Sequence, residues 1–295
     1  MNSRKLKAYL PGSKYIYLKL YTGNKTAEFL LNTKVYSMTN FLLNNGLIKK
    51  WFFIRYADPY FHLRIRLLIT DEKKIGEILS YISKNLNQYV VSRMIWKIDV
   101  STYFPEIKRF GDKYELAETM FFEDSKCILS IARLLYKTEK YNPNLRWMIC
   151  LKLIDSLLDD FRLSLRDKIY ITEIYKQEFK QEFGFNEFNS KSLNLKYRDN
   201  RYLVESSLDA PLNDDIFEKL TYPIKTKSQN IKNIIGEIMQ RNNRMSTISL
   251  IGSYIHLSIN RLFESNGRMH ELVLYDFLSR YYEGKAARNL YKNHN

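Results

Sequence analysis

The stretch WFFIRYADPYFHLRIRL at residues 51–67 decides how the first third of this chain folds. From His62 to Leu67 polar and apolar residues alternate strictly, which is the period of a half-buried β-strand. His62, Arg64 and Arg66 therefore share one face of that strand, and Leu63, Ile65 and Leu67 share the other. Asp58-Pro59 turns the chain between this strand and an earlier one over Trp51–Tyr56. Two arginines two positions apart on a strand stand roughly 7 Å apart, so each planar guanidinium can grip a separate carboxylate. Cations on a face where a core is expected break a local rule, and such breaks tend to mark sites. Taken alone, the pattern fits an exposed sheet face decorated with cations better than a site.

Working outward, Tyr15–Tyr21 (YIYLKLY) reads as a strand, and Thr22-Gly23-Asn24 opens a helix running to Asn45-Gly46. A helix from about Asp71 to Leu86 leads into a long expected strand, Val90–Phe104, rich in β-branched and aromatic residues. After Pro105 helical periodicity dominates, with helices expected near 113–137, 144–163, 165–183, 211–221, 228–243, 247–264 and 270–290. The polar, Asn/Ser-rich segment 184–209 reads as a long loop or mobile lid. The tetrapeptide KQEF occurs at 176–179 and again at 180–183, placing Phe179 and Phe183 on one helix face as packing residues. Strands first and helices after them imply an α+β fold, with a mostly antiparallel sheet in the first ~105 residues covered by helices. One domain is expected over 1–295, strand-rich over residues 1–105 and helical over residues 106–295.

The composition supports a large core: 295 residues, 45% hydrophobic and 15% aromatic, with 10 Gly and 6 Pro leaving little room for linkers. No apolar run approaches the ~20 residues needed to span a bilayer. The basic N-terminus lacks the apolar segment of a signal peptide, so a cytoplasmic protein is expected. Cys127 and Cys150, the two cysteines, have neither disulfide-framework nor zinc spacing and read as buried thiols in helices. The net charge of +15 calls for an anionic partner: nucleic acid, an anionic membrane surface or an acidic peptide.

Two further constellations could carry chemistry. In YFPEIKRFG (103–111), Pro105 ends the strand, and a helical turn brings Glu106 and Arg109 side by side at i,i+3. This is either a surface ion pair or a carboxylate that orients an arginine. In SYIHLSINRLF (253–263), His256 and Asn260 share a helix face with Ser253 one turn earlier. A lone histidine on so apolar a helix is more often a core residue than a catalyst. Histidine is scarce (His62, His256, His270 and His294), and no two have the spacing of a helical metal site. Phosphate-binding Gly-rich loops, Gly-x-Ser-x-Gly, His-Glu-x-x-His and dinucleotide fingerprints are all absent from the sequence, which argues against nucleotide, flavin and metal chemistry.

In order along the chain, four groups of residues resemble one known family. They are Trp51…Arg55-Tyr56…Asp58-Pro59…His62…Arg64…Arg66, then Tyr103…Pro105-Glu106…Arg109…Gly111, then Phe121-Phe122…Asp124-Ser125, then His256…Asn260-Arg261…Phe263. The family is the C-terminal glutamate-elimination domain of class I lantibiotic dehydratases, the nisin dehydratase type, also called the thiopeptide-type bacteriocin biosynthesis domain. By this resemblance the chain is a stand-alone elimination subunit, without the large glutamylation domain of full-length dehydratases. The implied activity is a lyase reaction. It removes glutamate from glutamylated Ser or Thr of a ribosomally made precursor peptide, leaving dehydroalanine or dehydrobutyrine, with no cofactor.

The resemblance carries Arg64, Arg66, Glu106, Arg109 and His256 over as site residues, with His62, Ser253, Asn260 and Arg261 as support. Arg64 and Arg66 would hold the free carboxylate of the glutamyl group, and Arg109, oriented by Glu106, the carboxylate that forms as the ester breaks. His256 would take the acid/base role, since imidazole titrates near neutrality. The implied partners are a precursor peptide with an acidic leader, which matches the +15, and a separate tRNA-dependent glutamylation subunit. A cyclase or other biosynthetic enzymes, and a homodimer, stay open. Two rivals also stay open. One is a stand-alone thiopeptide pyridine synthase, joining two dehydroalanines by a formal [4+2] cycloaddition, in which the paired arginines would have no evident duty. The other is a non-catalytic peptide- or RNA-binding subunit whose basic surface is its function.

Overall fold

The computed structural model describes residues 7–111, 114–138, 142–184, 187–209 and 215–293. The alternating runs form the strands they predict: β1 (Tyr15–Tyr21), β2 (Ile48–Ala57) and β3 (Phe61–Ile69), joined by a short fourth strand, β4 (Lys97–Val100). They make one antiparallel sheet in the order β2-β3-β1-β4. Between β1 and β2 lie α1 (Asn24–Leu30), a π-helical turn (Leu31–Val35) and α2 (Tyr36–Asn44); α3 (Ile75–Val91) follows β3. Leu18, Leu20, Trp51, Phe53, Leu63, Ile65 and Leu67 point to one side and are buried. The helices cover that side, as shown by Arg55, which stands across from Leu63 and bonds Glu28 of α1 at 2.5 Å.

The other side carries Tyr17, Lys19 and Tyr21 of β1, in register with Arg66, Arg64 and His62 of β3, and then Phe52, Ile54 and Tyr56 of β2. After β4 come the single turn α4 (Ile107–Phe110) and the long α5 (Tyr114–Thr138), whose Phe121 packs on Phe52, 5.5 Å between ring centroids. The Ser125 hydroxyl accepts the Phe53 amide at 3.3 Å. This first compact unit runs to Arg133, and the second starts at Leu134. The compositional change at Pro105 thus precedes the unit boundary, because the first half of α5 packs on the sheet.

The second unit is helical: α6 (Leu145–Asp160), α7 (Leu165–Glu182), α8 (Glu187–Leu208), α9 (Asp215–Arg241), α10 (Arg244–Leu262) and α11 (Gly267–Asn293). Helix α6 is buried on nearly every side and contacts α8, α9, α10 and α11, so it is the centre of this bundle. Its buried Asp155 is matched: Lys168 bonds it at 2.6 Å, and also Asp159 at 2.7 Å, and Tyr282 donates to Asp155 at 2.9 Å. Cys127 and Cys150 are buried thiols in α5 and α6, neither in a disulfide. No described helix is long and apolar enough to cross a membrane.

Three expectations need correction. The expected strand Val90–Phe104 shrinks to Lys97–Val100, because α3 runs on to Val91 to bury Ile78, Ile82, Leu86 and Tyr89 along one stripe. The expected loop or lid at 184–209 is helix α8. Its Leu193, Val204 and Leu208 supply a thin buried stripe beneath an otherwise polar surface. The two helices expected at 211–221 and 228–243 are one, α9, continuous through Pro223; residues 211–214 lie outside the described residues. The buried stripe Phe217, Leu220, Ile224, Lys227, Ile231, Ile235 and Ile238, apolar but for Lys227, outweighs the hydrogen bond that proline removes.

Candidate functional site

In the first unit, β3 puts His62, Arg64 and Arg66 on the sheet face opposite α1, as its alternation requires. His62 is buried, its Nδ1 2.8 Å from the Tyr60 carbonyl oxygen and its Nε2 3.0 Å from Arg64 Nε. An Arg N–H always donates, so Nε2 is the acceptor and Nδ1 carries the proton that bonds Tyr60. Burial first, and then the Arg64 charge, hold the imidazole below its ordinary pKa, in the neutral form this bond needs. The Arg64 guanidinium lies 3.4 Å over the Tyr56 ring. His62, expected as support, therefore orients Arg64 directly.

Arg66 is buried among three rings, with its guanidinium carbon 4.7 Å from the Tyr17 centroid, 5.3 Å from Tyr103 and 5.5 Å from Phe52. Its Nε has no hydrogen-bond partner, and no carboxylate pairs with it among the described residues. Cation–π attraction in a desolvated setting contributes on the order of 2 kcal/mol, which stabilises the charge without neutralising it. Tyr103 is fixed in turn: its hydroxyl donates to Glu118 Oε1 at 2.6 Å, and Tyr15 donates to Glu118 Oε2. Burial raises the Glu118 pKa, while the two hydroxyl donors oppose the rise. Lys19 and Lys97 add positive charge to the same face, Lys97 paired with Asp99 at 2.9 Å. The three-ring box was not legible as a unit, although Tyr15, Tyr17 and Tyr21 share strand parity and Tyr103 belongs to a quoted motif.

At the end of the sheet, Glu106 and Arg109 flank α4 with a 3.8 Å ion pair, both side chains about half exposed. Such a pair contributes at most ~1 kcal/mol to stability. Gly111 ends the turn at φ 72°, a conformation that favours glycine.

In the second unit, α10 carries Ser253, His256, Asn260 and Arg261. His256 is one-third exposed, and its Nδ1 lies 2.7 Å from Oε1 of Glu271, a buried carboxylate on α11. This bond orients the ring through Nδ1, and Nε2 is the ring nitrogen it does not use. Arg268 stands 3.8 Å from the other Glu271 oxygen and also pairs with Glu182. Ser253 donates its hydroxyl to the Ser249 carbonyl at 3.0 Å, and Arg261 is buried. Sequence reasoning missed Glu271: it sits fifteen residues from His256 on another helix, at a spacing no local pattern encodes.

With this geometry in place, comparison with known proteins is informative. The family model described as "Lantibiotic biosynthesis dehydratase C-term" matches residues 16–282, and the chain belongs to that family. It is 28% identical over 274 residues to nisin biosynthesis protein NisB of Lactococcus lactis subsp. lactis, covering 90% of this chain and 25% of that protein. It is 25% identical over 259 residues to epidermin biosynthesis protein EpiB of Staphylococcus epidermidis, covering 87% and 24%. The chain thus spans about a quarter of the length of the curated relatives it matches. In fold it is similar to the tRNA dependent lantibiotic dehydratase MibB from Microbispora sp. 107891, with TM-score 0.76 and 20% identity over 94% of this chain and 29% of that one. It is also similar to the pyridine synthase TbtD from thiomuracin biosynthesis, with TM-score 0.65 and 10% identity over 92% and 98%.

Proposed function

We propose that the chain acts in precursor-peptide dehydration as the elimination component, releasing glutamate from glutamylated Ser or Thr. The observation that carries this reading is Arg66: a buried arginine, aligned with Arg64 on one strand face, with aromatic walls and no protein carboxylate among the described residues. A glutamyl group supplies the missing anion. Family membership supports the dehydration context.

In the elimination, His256 Nε2 takes the α-proton of the modified residue, and that electron pair forms the Cα=Cβ bond. The Cβ–O bond breaks, and its electrons leave on the carboxylate of glutamate. Arg64 and Arg66 hold the free glutamyl carboxylate, while Arg109, oriented by Glu106, stabilises the carboxylate being formed. Glu271 stabilises the imidazolium that results. In this reading a separate tRNA-dependent subunit supplies the ester, and an acidic leader suits the +15 charge.

The test supplies a glutamylated precursor peptide to the purified protein and follows the mass. Release of glutamate, lost on Arg66→Ala and on His256→Ala, is the expected result. Non-additive losses in the double variant would place both residues in one step. Release that survives both substitutions overturns the site assignment. Leader expulsion from a peptide already carrying dehydroalanines, without glutamate release, overturns the reaction in favour of cycloaddition.

A further inference from the structure

We propose that a cleft beside the C-terminal end of α10 is a subsite for an acidic side chain of the peptide substrate, about three residues from the residue that His256 deprotonates. This rests on the elimination reading for its substrate, but on separate residues for its geometry. The cleft holds about 700 Å³, enough for a side chain and its flanking backbone, and lies wholly within the second unit. Its walls are aromatic: Phe263 stacks on His270 at 3.9 Å, and Trp147 meets Phe277 edge-on at 5.7 Å.

Its charge is mainly cationic. Arg146 is buried and donates to the Leu262 carbonyl at 2.6 Å, so it is held in place at the end of α10. Lys196 lines the same cleft from α8, and no carboxylate pairs with it among the described residues. Glu264 is the one carboxylate in the lining. Burial first, then the nearby charges of Lys196 and Arg146, hold the His270 pKa below its ordinary value. A ligand carboxylate would offset that field, and the aromatic walls would pack the chain that bears it.

The position follows from helix geometry. Phe263 caps the C-terminal end of α10, seven residues beyond His256, and a helix rises ~10 Å over that interval. An extended peptide covers that length in about three residues. A peptide with its modified residue at His256 and lying along α10 therefore brings a neighbouring side chain to the cleft.

The experiment uses synthetic peptides with one glutamylated serine, and with Asp or Lys placed in turn two, three or four residues away on either side. Asp at the third position on one side should lower KM about tenfold relative to Lys there, with kcat unchanged. Lys196→Glu, a surface change, should reverse the preference. A flat positional scan, or a preference that Lys196→Glu leaves intact, overturns the subsite. A second readout needs no turnover: the unmodified Asp peptide should raise the pKa of the His270 imidazole followed by NMR. If that shift appears while no peptide loses glutamate, the elimination reading fails and the subsite stands. If a short RNA moves His270 and the peptide does not, the cleft is not a peptide subsite.

Discussion

Arg55 and Arg66 sit in the same sheet, both buried, on opposite faces. Arg55 lies on the helix-covered face and is neutralised by Glu28 at 2.5 Å. Arg66 lies on the other face, held by three rings and by no carboxylate among the described residues. Removing a charge from water is expensive, so folds normally match it, as they do here at Arg55 and at Lys168. A buried cation left unmatched signals that its counter-charge comes from outside the chain. In the elimination reading, two arginines of similar burial thus separate into a structural one, Arg55, and one proposed to bind a ligand, Arg66.

The largest effect that would break this contrast is on stability. Arg55→Met removes the cation that matches the buried Glu28 carboxylate and should cost roughly 3–5 kcal/mol in urea unfolding. The same change at Arg66 strands nothing, so Arg66→Met should fold with equal or slightly higher stability. Its glutamate release should nevertheless fall about 100- to 1,000-fold, the range for losing one charge-stabilising group. Equal destabilisation by the two variants would erase the distinction. Next, Glu271→Gln keeps the shape of the His256 contact but removes its charge. It should lower kcat by about 10- to 100-fold and leave KM nearly unchanged, as read in steady-state glutamate release.

The smallest effect is on pH dependence. His62 has a native pKa below its ordinary value near 6.5, so in that window the unfolded chain binds more protons than the native one. Stability therefore falls as pH drops below about 6.5 and continues to fall until the native pKa is passed. His270, also depressed, adds a decline of the same sign. His62→Gln should flatten the urea midpoint between pH 7.5 and 5.5, and an unchanged slope would remove His62 from the account.

Much of the sheet was legible in sequence because strand alternation is local: Tyr15–Tyr21 forms over the residues its pattern marks, and the alternating His62–Leu67 lies within β3. The facing of His62, Arg64 and Arg66 followed from the same period. What local pattern misled on was composition without periodicity. Val90 and Val91 favour strands, yet they complete a helix whose buried stripe began at Ile78. The Asn and Ser of 184–209 favour loops, yet Leu193, Val204 and Leu208 suffice to seat a helix. At the candidate site, the cations and His256 could be named from sequence, whereas the groups that tune them come from distant positions. Glu271 reaches His256 from another helix, and Tyr17, Phe52 and Tyr103 close on Arg66 from three segments.

The ring-lined pocket around Arg66 has a kinetic consequence. In the elimination reading, liberated glutamate carries the same free carboxylate as the ester, so the guanidinium that holds one also attracts the other. Free glutamate added to the assay should therefore compete with the esterified peptide for the same arginine.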